Sequence, residues 1–123
     1  MALNYQPIYP QAIRNEGAVL TTATLTSLVT ANENGSLIDV LVASSTENTK
    51  TLTLDVFISD GTNDYLVCTV PIVNEESGQD VLNAMGFFNN VIMLKANNIL
   101  KVKLSDAPTT DKTVTVFASG RNY

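Results

Sequence analysis

Asp60 and Asp64 in the stretch SDGTND, and the adjacent Glu75 and Glu76 in NEESGQD, are the local carboxylate pairs of this chain. A glycosidase-type acid and base would require such a pair, held so that one carboxyl keeps its proton while the other stays ionised. Both pairs lie in turn-like segments, where acidic side chains ordinarily close loops by accepting main-chain N–H bonds and add solubility. The oxygen donors of DGTND also suggest a calcium loop, but the EF-hand spacing and a bidentate glutamate are missing. Turn chemistry is the reading that fits.

The chain has no histidine, so a serine or cysteine nucleophile would need a lysine or a terminal amine as its base, and no spacing supplies one. Cys68 lies in the apolar run YLVCTVPIV, where it is expected to pack as a small hydrophobe. No glycine-rich phosphate loop and no dinucleotide fingerprint occurs. The expectation is no catalytic residue, no metal site and no cofactor, and therefore a protein that acts through its surfaces and is not an enzyme.

Composition narrows the partners. The 12 acidic against 7 basic residues give a net charge of −5, without a lysine or arginine cluster that would follow a phosphate backbone. Nucleic acid is not an expected partner. Lys101 and Lys103 alternate with Leu100, Val102 and Leu104, as on the solvated face of an edge strand. No apolar run approaches the roughly 20 residues that span a bilayer. A lone cysteine makes no internal disulfide, and MALNYQPIYP lacks the regions of a signal peptide, so assembly in a cytoplasm is expected.

At 123 residues, 45% hydrophobic and 15% charged, the chain is of a size that buries about two thirds of its unfolded surface as one domain. Residues 1–16 carry Pro7 and Pro10 among Tyr5, Ile8 and Tyr9 without a helical or strand period, which predicts an extended N-terminal arm. Its reach is at most ~50 Å. Residues 17–123 are the expected single β domain.

Short alternating segments follow one another along that domain. A first strand is expected within Val19–Thr30, then the Asn34-Gly35 turn, then a strand over Leu37–Ala43 in which Asp39 is expected to point outward at a sheet edge. In Thr51–Ser59 the alternation directs Leu52, Leu54, Val56 and Ile58 inward and Phe57 outward. Tyr65–Val73 repeats the pattern with Leu66, Cys68, Val70 and Ile72 inward, and Asp60-Gly61 joins the two runs as a hairpin. Pro71 marks the second run as an edge strand or the site of a bulge.

Residues 74–88 break the alternation and form the longest expected loop. Its Phe87 and Phe88 either plug one end of the sandwich or present an apolar patch to a partner. Strands over Val91–Lys95, Ile99–Leu104 and Thr113–Ser119 complete the set, and Tyr123 adds an aromatic near the last of them. Seven or eight short strands with at most one helical turn predict an all-β, antiparallel, jelly-roll-like sandwich.

The start Tyr5-Gln6-Pro7-Ile8-Tyr9-Pro10, the hairpin Asp60-Gly61-Thr62-Asn63-Asp64-Tyr65 and the ending Val116-Phe117-Ala118-Ser119-Gly120-Arg121-Asn122-Tyr123 resemble small β-sandwich structural proteins of tailed-bacteriophage virions. The resemblance implies a head decoration, or cement, subunit, commonly trimeric, on the surface of the head and bound to the major capsid protein. On that reading Tyr5, Pro7, Ile8, Tyr9 and Pro10 form the partner-binding arm, and Phe87, Phe88 and Tyr123 are interface candidates. A head-fibre, neck or tail accessory protein that binds a receptor or glycan is the alternative. Without tryptophan, its sugar-stacking aromatics would be Tyr65, Phe57 and Tyr123.

Overall fold

Alternating sequence becomes paired strand in the structure, a computed structural model that describes residues 12–72, 79–80 and 91–123. Among these residues the strands are β1 (Ala12–Leu20), β2 (Thr26–Thr30), β3 (Ser36–Ser45), β4 (Leu52–Ser59), β5 (Asp64–Ile72), β6 (Gln79–Asp80), β7 (Ile92–Leu94), β8 (Ile99–Leu104) and β9 (Val114–Asn122). They form two antiparallel sheets. One runs β1-β9-β3, with β6 and β7 both on the far side of β3; the other runs β2-β8-β4-β5.

The pairing is nested. β1 pairs with β9, β2 with β8, β3 with β7 and β6, and β4 with β5. The chain is thus one long antiparallel ribbon with the β4–β5 hairpin at its tip. Rolling that ribbon up adds the pairings of β9 with β3 and β8 with β4. This is the jelly-roll form of the β-sandwich expected from the alternation.

The inward residues of the two sheets form one core. Ile38, Leu41, Val114 and Val116 from the first sheet and Leu54, Val56, Leu100, Val102 and Leu104 from the second are each at most 1% exposed. All buried apolar side chains among the described residues are aliphatic. Each Leu, Ile or Val so buried contributes about 1.5–3 kcal/mol from water exclusion.

Bulges change which side chains reach that core. On β5 the register skips Val67, so that Cys68 faces Val56 while Leu66 faces the outward Phe57. Leu66, expected inward, is 58% exposed as a result. On β3 the skipped residue is Asp39, which the bulge turns outward on a strand flanked by neighbours on both sides, whereas an edge position was expected. Lys101 and Lys103 likewise stand on β8 between β2 and β4, not on an edge. Pro71, by contrast, sits on β5, an edge of its sheet.

The N-terminal boundary also differs from expectation. Residues 12–16, assigned above to the arm, pair with 118–122 as the first half of β1. A strand does lie within Val19–Thr30, namely β2, while Val19 and Leu20 belong to β1. β1 escapes notice because it is an edge strand whose outward Ile13 and Val19 are separated by Asn15 and Gly17, which leaves no apolar alternation to read.

Opposite the β3 bulge the backbones come unusually close. A Cβ on Gly120 would stand 1.9 Å from the Leu37 carbonyl oxygen, so no larger residue fits without moving the strand. At the β2–β3 turn Gly35 has φ +90°, a conformation costly for side-chain-bearing residues, and its carbonyl accepts the Tyr123 N–H at 3.1 Å.

Candidate functional site

The groups with chemical potential are engaged in holding loops. Asp60 Oδ1 accepts the main-chain N–H bonds of Asn63 at 2.8 Å and Thr62 at 2.9 Å, and its Oδ2 accepts the Tyr65 hydroxyl at 3.2 Å. Those bonds, the Asn63 one foremost, hold the Asp60 carboxyl below its ordinary range. Asp64 is also held low, by the Ser59 hydroxyl first and then by Lys101, whose ammonium lies at 3.1 Å. Neither carboxyl retains the proton that a general acid needs at neutral pH. The second pair, Glu75 and Glu76, lies outside the described residues.

Glu47 is the buried carboxylate that sequence reasoning passed over. It is 1% exposed. Oε1 accepts the N–H and the hydroxyl of Thr109, both at 2.7 Å, while Oε2 accepts the N–H groups of Asn48 and Thr49 and the Thr49 hydroxyl. The Thr109 N–H, opposed by burial and aided by the two hydroxyls, pushes its carboxyl down to about 2. These bonds join the β3–β4 loop to the β8–β9 loop. A signal existed in the clustered Thr, Asn and Glu of 46–49, but the partner Thr109 is too distant in sequence to be read locally.

Cys68 is half-buried, and burial first, then the Asp55 carboxylate, push its thiol up. A thiolate nucleophile needs the reverse. Among the described residues no group of three or more Cys, Asp or Glu is placed to hold a metal ion. Nor is any helix there long and apolar enough to cross a membrane.

The surface has more to offer than these groups. Pairing registers set outward residues of the first sheet in rows across the strands: Ile13, Arg121, Leu37 and Met93; then Asn15, Ser119 and Val40; then Gly17, Phe117 and Val42. Ile13, Val19, Val40, Met93 and Phe117 are between 41% and 84% exposed. Arg121 reaches Asp39 at 3.2 Å within this face, and the Ser119 hydroxyl donates to Asn15 at 2.9 Å. The result is a sheet face whose apolar side chains are interrupted by an ion pair, by a neutral hydrogen bond and, in register beside Val42, by the position of Asp80 on β6.

Of the interface candidates, Tyr123 is half-buried, and its main chain is fastened to the β2–β3 turn through Gly35 and through the Asn32 side-chain amide at 2.9 Å. Tyr5, Pro7, Ile8, Tyr9 and Pro10, and Phe87 and Phe88, lie outside the described residues. Of the sugar-stacking candidates, Phe57 is half-buried on the outward face of β4, and Tyr65 is exposed beside the hairpin with its hydroxyl committed to Asp60.

The geometry defines an antiparallel jelly-roll sandwich with an apolar outer face. No protein-family model and no curated protein matches the sequence. Solved structures with a similar fold do exist. A chain from the acid-stable capsid structure of Helicobacter pylori bacteriophage KHP30 is 12% identical, with 92% of this chain and 90% of that one covered and a TM-score of 0.54. A chain from infectious bursal disease virus, Gx strain, is 14% identical, covering 98% of this chain and 35% of that one, with a TM-score of 0.26. The first likeness is one of fold; the second is too slight to bear on fold or role.

Proposed function

We propose that this chain is a virion structural protein that decorates and cements a bacteriophage head shell. The observation that carries the reading is the outer face of the β1-β9-β3-β7 sheet, a rigid surface with large exposed apolar side chains on a fold whose reactive groups serve its loops. One further point supports it. The phage-capsid chain of similar fold has nearly the same length, since the match spans about nine-tenths of each. That support is an analogy between folds and carries no residue-level assignment.

The mechanism follows from addition of many small contacts. A shell repeats one surface many times, so a module that touches two neighbouring capsomers gains from effective concentration without strong individual contacts. The arm, with Tyr5, Ile8 and Tyr9 as anchors and Pro7 and Pro10 limiting the entropy lost on docking, supplies the second contact. The module is non-enzymatic, homo-oligomeric, and bound to the major capsid protein on the head surface.

The test uses purified full-length chain and head shells that lack it. Co-sedimentation at fixed stoichiometry is the expected result, with deletion of residues 1–11 abolishing it while the circular dichroism of the free chain is unchanged. Equal occupancy by the deleted chain would refute the arm's role, and absence of binding by the full chain would refute the cement role.

A further inference from the structure

We propose that the outer face of the β1-β9-β3-β7 sheet pairs with the same face of a second copy of this chain, about a two-fold axis. This goes beyond shell binding, because the pairing would exist in the free protein, where a second copy covers the face until a shell competes for it.

The size of the face is adequate for such a contact. Three strands of nine or ten residues, with the three-residue β7 beside them, give a footprint on the order of 15 Å by 30 Å, so two copies would bury about 1,000 Å², the threshold for a specific, reversible interface. Its apolar content falls in cross-strand pairs, because the registers set Leu37 beside Met93 in one row, with Ile13 on the other side of Arg121, and Phe117 beside Val42 in another. Exposed apolar groups gathered on one sheet face mark interaction surfaces on soluble chains.

Charge selects the partner. The chain carries −5 overall, whereas the rows of this face hold Arg121 and Asp39, already 3.2 Å apart, and Asp80 in register beside Val42 at the β6 end. With one further acidic residue per copy, two copies meet less repulsion here than their whole net charge would give. A two-fold axis makes a contact self-complementary, so the Arg121 of each copy can meet the Asp39 of the other. Desolvating that quartet is favourable only if all four charges are paired, a condition that also fixes the register of the two faces.

The test is sedimentation velocity of the full chain from about 1 to 200 µM, with circular dichroism to verify the fold of each variant. The wild type is expected to dimerise reversibly. Met93→Lys and Val19→Lys should each weaken association at least tenfold, as should Arg121→Glu, while the double exchange Asp39→Arg with Arg121→Glu restores it. Leu66→Lys on the opposite sheet is the control and should leave association unchanged.

A monomer across the whole range overturns the proposal, as does an oligomer indifferent to Met93→Lys and Val19→Lys. So does a monomer that associates only once residues 1–11 are removed, since that segment would then be the cover of the face. Shell binding is read in a separate experiment, so either result can fail alone.

Discussion

Thr109 donates both its main-chain N–H and its hydroxyl to the same oxygen of Glu47, each at 2.7 Å. Two loops are thereby locked together by a carboxylate that must be ionised to accept every bond it receives. The folded-state carboxyl is lowered to about 2 from an ordinary 4.5, so its stabilisation is complete above about pH 4.5 and is lost as the pH falls toward 2. The melting temperature should therefore decline across that window. In Glu47→Gln the protein should melt lower at neutral pH and decline less steeply in acid; parallel profiles for the two proteins would refute the assignment. Asp60, Asp64 and Asp106 are lowered too and add to the decline in both.

Gly120→Ala and Gly17→Ala differ only in what the new methyl meets. At Gly120 it would collide with the Leu37 carbonyl, whereas at Gly17 the nearest atoms lie at 3.7 Å, an ordinary contact. Overpacking against backbone costs about 1–3 kcal/mol or more, and an exposed strand substitution usually stays within about 0.5 kcal/mol. Urea denaturation of the two variants should show that contrast.

The β5 bulge makes a similar comparison between leucines. Leu100→Ala should cost about 2–5 kcal/mol, because its side chain is wholly enclosed. Leu66→Ala should cost less than about 1 kcal/mol, having little buried area to lose. Equal losses in chemical denaturation would mean that Val67 is not the skipped residue.

For Cys68 the expectation is slow chemistry. Burial and the nearby Asp55 carboxylate both disfavour the thiolate, so a disulfide reagent at pH 8 should modify the folded chain more slowly than the urea-unfolded chain. Asp55→Asn should speed the folded reaction modestly; a folded rate equal to that of the unfolded thiol would contradict the burial seen here.

The elements legible in the sequence are those whose signals are local. Asp60-Gly61 between two alternating runs gives the β4–β5 hairpin, and Ile99–Leu104 is read to the residue. Bulges are not local signals. Nothing in TLTLDVFIS or YLVCTVPIV announces that Val67 is skipped, because the skip is defined against β4 and not within β5. Sheet order is hidden for the same reason: lysines alternating with aliphatics look like an edge strand until β2 and β4 are seen on either side of β8.

The outer sheet face falls between these cases. Phe117 could be read as outward from alternation, whereas Val40, next to the outward Asp39, is set outward only by the β3 bulge, and the assembly of both with Ile13 and Met93 depends on pairings between opposite ends of the chain. Glu47 was illegible in the same way, its role being set by Thr109 across two loops.

Because β9 lies between β1 and β3, the first sheet has no centre until β9 has emerged from the ribosome. Contacts of such long sequence separation close slowly, so a nascent chain that stops short of β9 should stay protease-sensitive and incompetent for association. Emergence of that one strand would then act as the timer that makes subunits available to one another.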